Sequence, residues 1–292
     1  MLSRTAILFM RLLAPLPLSW VRALGWLLGR ALHAVAGRRR KIALTNLRLC
    51  FPELSEPERE AMVRRNFVYF MQAWLDRSWL WHAPRSVLES RFRRVGDWQV
   101  FQGQAPTIVF APHFYGLDAG AMALAMAADR RFTTIYTTQV NRAVDEWMKV
   151  GRSRFGDVSL LNRDDGVKPI VSSLRKGGLL YLLPDMNFGP EESIFVPFFG
   201  VPTATVPSLS RFARLGRAQV VPLTTRLTPT GYEVEAHPVW QGFPTEDVVA
   251  DTALMNERLQ AWIAHMPDQY WWVHKRFKTR PPGEASVYGG RD

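Results

Sequence analysis

"TIVFAPHFYGLDAGAMALAMA", residues 107–127, decides how the chain is read. Its first five residues are an apolar run and its last ten are alanine-rich and free of proline, so the stretch reads strand, loop, helix. His113 falls in the loop and Asp118 in the first turn of the helix. In an open α/β sheet the reactive crevice lies at the carboxyl ends of the strands, and both residues lie at such an end. On one continuous helix an offset of five residues would hold them about 140° apart. A bend at Gly116 lets Asp118 reach one ring nitrogen of His113, which fixes the tautomer and leaves the other nitrogen as a base near neutral pH. The start of the helix offers backbone donors to a developing oxyanion. No G-x-S-x-G nucleophile motif occurs, so the pair suits direct attack by a substrate hydroxyl. The alternative is a histidine satisfied in a structural role.

Working outward, "FTTIY" (132–136), "GLLYLL" (178–183) and "AQVVPLTTRL" (218–227) read as further strands, and "YEVEAHPV" (232–239) as a hairpin partner across "TPTG". Helical stretches fall near 117–128, 141–155, 166–176, 206–215 and 247–264. This alternation predicts an α/β fold, a mixed central sheet flanked by helices, over residues 85–280. Residues 281–292 read as a flexible tail. Residues 53–84 form a scaffold helix, opened by Ser55 and Glu58 at capping-box spacing with Pro57 in the first turn, and stopped by Pro84.

The chain of 292 residues carries 37 Lys and Arg against 26 Asp and Glu, a net +11. Residues 1–52 hold nine basic side chains, no acidic ones, and many Leu, Ala and Trp. Basic and apolar together favour an anionic lipid surface over a nucleic acid. Arg11, Arg22 and Arg30 interrupt the apolar run and Pro15 and Pro17 break it, so neither a membrane span nor a signal peptide fits. Two interfacial helices, about 5–14 and 18–36, are expected instead; an ordinary core hairpin is the alternative. The cluster Arg38-Arg39-Arg40-Lys41 favours the cytoplasmic side. Cys50 is the single cysteine, so no intramolecular disulfide forms. No metal site and no nucleotide cradle are expected, and His33, His82, His237, His265 and His274 lack a carboxylate at a matching spacing.

The H-x4-D of "HFYGLD" (113–118) resembles the signature of the glycerolipid acyltransferase superfamily. Together with "RRRKIALTNLRLCFPELSEPERE" (38–60), "LPDMNFGPEESIFVPFFGV" (183–201) and "MPDQYWWVHKRFKTRP" (266–281), the chain resembles the late lipid A acyltransferases from about residue 15 to 288. The resemblance implies transfer of a fatty acyl chain from an acyl carrier protein thioester to a lipid A precursor, with no other cofactor. It implies work at the cytoplasmic face of an inner membrane, as a monotopic or peripheral protein. His113 would be the general base and Asp118 its partner. Arg163, in "LNRDDG", matches a basic residue that holds phosphate or the intermediate; the bland reading is a salt bridge with Asp164 or Asp165. Asp185, Asn187 and Gly189 would line the substrate site, Asp185 either reading a polar headgroup or capping its loop. Asn187 departs from the family, which has an acid there, and that puts a role for this position in doubt. Another lipid acceptor (an amino-acid or aryl-polyene lipid), a thioesterase-like hydrolase and a non-catalytic lipid- or carrier-binding homologue remain as alternatives. Acyl chain length is not legible.

Overall fold

The computed structural model describes residues 2–289, without the side chains of residues 2, 3 and 163. Two amphipathic helices lead, α1 (Leu2–Leu13) and α2 (Leu18–Val35), joined at the prolines as expected. Helix α3 (Gly37–Cys50) follows, then the long α4 (Glu56–His82). The Glu58 carboxylate accepts from the Ser55 N–H at 2.7 Å and its hydroxyl at 2.6 Å, which closes the start of α4. A short α5 (Arg85–Arg91) leads into strand β1 (Phe92–Gly96).

The α/β part then alternates as the apolar runs predict: β2 (Thr107–Phe110), α6 (Leu117–Ala127), β3 (Phe132–Tyr136), α7 (Arg142–Arg152), β4 (Val158–Asn162), α8 (Val167–Arg175) and β5 (Leu179–Leu182). A hairpin of β6 (Ile194–Phe198) and β7 (Val201–Thr205) interrupts the alternation. Helix α9 (Ser208–Gly216), β8 (Gln219–Thr228), β9 (Gly231–Ala236) and α10 (Val248–His265) complete it. The main sheet runs β1-β9-β8-β2-β5-β3-β4, and only the β8–β9 pair is antiparallel. Strands β1, β6 and β7 escape the sequence reading: β1 alternates no apolar face, and Pro197 and Pro202 break the other two patterns.

Alternation along the central strands builds one core on each face of the sheet. Ile108, Phe110, Leu180, Leu182 and Val220 meet α8, α9 and α10; Val109, Leu179, Tyr181 and Val221 meet α6. Helix α4 serves both cores, through Val63 and Phe67 near its start and Trp79 and Leu80 near its end. Helix α2 lies so close on α4 that a Cβ at Gly29 would stand 2.5 Å from Val68 Cα. The outer faces of α1 and α2 leave Leu8, Phe9, Leu12, Trp20, Trp26 and Leu27 exposed. No helix among the described residues is long and apolar enough to cross a membrane. Within the expected tail, the Tyr288 hydroxyl donates to Asn46 Oδ1 at 2.6 Å and accepts from the Phe277 N–H at 3.0 Å, and residues 290–292 lie outside the described residues.

A buried ion pair fastens α2 to the rest. Arg22 Nη2 lies 2.8 Å from Asp76 Oδ2, and Asp76 also accepts from Tyr232 and Trp79. Arg22→Met would strand a buried carboxylate, which costs roughly 3–5 kcal/mol. The variant is expected to unfold at clearly lower temperature than the parent, and an unchanged thermal midpoint would contradict this role.

Candidate active site

Parallel pairing of β2 with β5 sets the site. Phe110 stands opposite Leu182, and the Ala111 N–H donates to Leu182 O at 2.9 Å. Three residues beyond each of those partners come His113 and Asp185, so the two loops carry them to the same place. His113 Nδ1 lies 2.7 Å from Asp185 Oδ1, and the His113 N–H donates to Asp185 Oδ2 at 3.0 Å. One carboxylate therefore grips both the ring and the main chain. The Tyr270 hydroxyl adds a third bond to Asp185 Oδ2 at 3.0 Å. The His113 carbonyl accepts from the Trp271 N–H, and Trp271 meets the imidazole edge to face.

Asp185 is fully buried. Burial alone would push its carboxyl up, but the charge and hydrogen bonds of His113, with the charge of Arg276, hold it below the usual carboxylate value. An ionised carboxylate only accepts, so the imidazole proton sits on Nδ1 and the lone pair on Nε2. The ring borders a cleft of about 410 Å³. Leu32 and Ala36 wall it from the α2 end, Phe67 and Phe70 from α4, and Met186, Trp271 and Val273 from the loops. Its polar members besides His113 are Arg39 and His274. This is a largely apolar slot with an imidazole at one point of its wall.

Asp118 does not make the expected contact. Its carboxylate is held by Arg77 of α4 at 2.7 Å and by Arg152 of α7 at 2.9 Å. Burial would raise this carboxyl, but the two guanidiniums hold it below its ordinary value. Gly116 sits at φ −74°, an ordinary conformation, and supplies no bend back toward the histidine. Glycine is needed there for closeness, since a Cβ would meet Thr225 Cγ2 at 2.7 Å. The helix begins at Leu117 and carries Asp118 toward α4 and α7, where two guanidiniums compete better for it than one imidazole. Two donors at this helix start are already used: the Tyr115 N–H goes to Gln269 O and the Leu117 N–H to Phe114 O.

Asn187 works as a clasp. Its Oδ1 accepts from the Gly189 N–H at 3.1 Å and the Thr279 hydroxyl at 3.0 Å, and its amide donates to Arg276 O at 3.4 Å. An acid would lose that last donor. Gly189 thus belongs to the clasp rather than to the cleft wall. Arg163 lies in a 3₁₀ turn (Arg163–Asp165) after β4, and its side chain is outside the described residues. His274 enters the cleft despite lacking a carboxylate at matching spacing. Burial, then the charges of His113 and Arg276, lower its pKa to about 4, so it is a neutral wall at physiological pH. Its Nε2 accepts from the Asn187 N–H at 3.4 Å. Sequence reading missed Arg77, Arg152 and Tyr270, because each reaches its carboxylate through tertiary contact. No group of three or more His, Cys, Asp or Glu among the described residues is placed to share a metal ion.

A family profile described as bacterial lipid A biosynthesis acyltransferase matches residues 3–279. A lipid A biosynthesis acyltransferase of Haemophilus influenzae is 33% identical over 283 residues, 95% of this chain and 88% of that protein. The lipid A biosynthesis myristoyltransferase of Escherichia coli is 34% identical over 279 residues, 91% of this chain and 83% of its own. The lauroyltransferase of the same organism is 33% identical over 283 residues, 95% and 91% of the two chains.

The site's titration has a sign that denaturation can read. The folded value of His274, about 4, lies below the ordinary 6.5. Between these values the unfolded chain binds a proton that the folded chain refuses, so stability falls as pH drops from 6.5 to 4, by at most about 3 kcal/mol. Asp118 and Asp185, both depressed, withdraw their contributions only lower, as pH falls past the ordinary carboxylate value and through their folded ones. His274→Gln is expected to flatten the upper part of the profile in urea titrations. A slope equal to the parent's would show that His274 is not buried neutral.

Proposed function

This chain belongs to the bacterial lipid A biosynthesis acyltransferase family, and we propose that it moves a fatty acyl group from an acyl carrier protein thioester to a hydroxyl of a lipid A precursor. It is an acyltransferase; the donor, the acceptor and the residue roles are the content of the proposal. The observation that carries it is the His113–Asp185 pair at 2.7 Å on the wall of an apolar cleft. The alkyl chain lies in the cleft with its thioester carbonyl at His113. Nε2 takes the proton of the attacking hydroxyl as its oxygen bonds to the carbonyl carbon. The tetrahedral intermediate collapses with cleavage of the C–S bond, and the imidazolium returns the proton to the departing thiolate. Asp185 holds the ring in the productive tautomer and stabilises its charge between the two steps. Asp118 serves by locking α6 to α4 and α7.

The second half of the proposal concerns place. Leu8, Phe9, Leu12, Trp20, Trp26 and Leu27 give α1 and α2 an exposed apolar face, and Arg38, Arg39 and Lys41 follow in α3. Laid on the cytoplasmic surface of an inner membrane, this face brings the cleft bordered by Leu32 and Ala36 to the lipid boundary, as a peripheral or monotopic protein. A lipid acceptor then needs only to rise slightly from its leaflet to reach His113.

The test is transfer itself. Purified protein is incubated with acyl carrier proteins bearing chains of several lengths and an under-acylated lipid A precursor, and products are read by mass spectrometry. One added acyl mass is expected, absent with His113→Ala. Asp185→Asn is expected to lower kcat by roughly 10²–10⁴ with KM little changed, whereas Asp118→Asn chiefly lowers the unfolding temperature. Thioester loss without lipid product would keep the chemistry and replace the acceptor. The absence of any His113-dependent turnover would overturn the reading.

A further inference from the structure

A second cavity, of about 480 Å³, lies beside the turn of the β8–β9 hairpin, away from the acyl cleft. It is polar and cationic. Arg91, Arg93 and Arg226 line it with the hydroxyl residues Thr228 and Thr230 and one acid, Glu233. Arg93 Nη1 and Arg226 Nη2 each lie 2.8 Å from an oxygen of Glu233, so one carboxylate balances two guanidiniums. Arg91 is pressed over the Trp79 ring at 4.9 Å, and its Nη1 is buried without a hydrogen-bond partner among the described residues. Three guanidiniums against one carboxylate leave an excess of two positive charges around a space large enough for a headgroup.

The cavity is also well placed. Its wall includes Gln269 and Tyr69, while the acyl cleft is walled by Trp271 and Phe70. Only Tyr270 separates Gln269 from Trp271, so their Cα atoms lie at most about 7 Å apart. Arg22 of α2 donates to Gly231 O in the hairpin turn at 3.2 Å, which ties this rim to the helix bearing exposed Trp20 and Trp26.

We propose that this cavity binds a phosphate monoester, held by the guanidiniums of Arg226, Arg93 and Arg91 while the acyl cleft holds the alkyl chain. Arginine suits this because its planar fork meets two phosphate oxygens at once. The assignment rests on the acyltransferase reading only in naming a lipid headgroup as the carrier of the phosphate. The site itself rests on charge and shape.

Binding is measured on the whole protein in neutral detergent, with short-chain phosphatidic acid as the lipid phosphate and glucose 6-phosphate as a soluble one. The inactive His113→Ala variant is expected to bind phosphatidic acid as the parent does, which separates this site from the catalytic one. Arg226→Gln with Arg93→Gln, both at exposed positions, is expected to weaken binding by at least about tenfold. Glu233→Gln is expected to tighten it, since it frees two guanidiniums, and misfolding does not mimic a gain in affinity. Competition by glucose 6-phosphate would make the site a general phosphate site, and its failure would make the lipid part of the recognition. Equal affinity in the parent and the double arginine variant, or no tightening with Glu233→Gln, would overturn the proposal. Loss of acyl transfer with phosphate binding intact would count against the enzymatic reading alone.

Discussion

A carboxylate sealed from water must be surrounded by donors or be given up as a charge, and Asp185 is such a carboxylate. Its donors come from two separate parts of the chain, the ring and main chain of His113 after β2 and the hydroxyl of Tyr270 after α10, with the charge of Arg276 from the same C-terminal segment nearby. Meeting that demand closes the loop after β5 onto the loop after β2 and draws the C-terminal segment across both. Arg276 is in turn anchored at Ala204 O and Thr205 Oγ1 of β7. The geometry around His113 is therefore a consequence of keeping one buried acid ionised. The same bond that satisfies Asp185 leaves Nε2 as the basic atom of the ring.

The same economy recurs twice. Asp76 holds Arg22 and so fastens α2, and Asp118 holds Arg77 and Arg152 and so fastens α6 between α4 and α7. Part of the excess positive charge is thus spent inside the fold, on helices that must sit accurately against the sheet. Exposed basic side chains include Arg38, Arg39 and Lys41 on α3 and Arg93 and Arg226 at the hairpin cavity. Buried acids thus set the frame around His113 and hold α2 and α6 in place. The cleft beside His113 is apolar along most of its wall and polar only at His113, His274 and Arg39.

Much of this was legible in the chain, for a physical reason in each case. Apolar runs bounded by turn residues foretold β2, β3, β5 and β8, since strands covered on both faces are rich in apolar residues, and alternation across "TPTG" foretold β9 as a hairpin partner. The prolines at 15 and 17 and the Ser55–Glu58 pair marked helix ends that the fold keeps. The place of His113 in the loop after β2 was legible from the strand-loop-helix pattern around it. The identity of its partner was not. Asp118 is near in sequence and Asp185 is distant, and only the parallel register of Phe110 with Leu182 makes the distant one the neighbour. Asn187 looked like a lost acid, yet it is a clasp that uses both faces of an amide. The edge strands β1, β6 and β7 carry prolines or charges that mask their pattern.

The central claim is that Asp185, and not Asp118, sets the protonation state of His113. The most direct measurement is nuclear magnetic resonance of the protein labelled with nitrogen-15 at histidine, which reads the tautomer and the proton bridging ring and carboxylate. The account predicts an imidazole protonated at Nδ1 with a strongly downfield proton, lost in Asp185→Asn and retained in Asp118→Asn. A downfield proton that survives Asp185→Asn and vanishes in Asp118→Asn would contradict it and restore the pairing that the sequence first suggests.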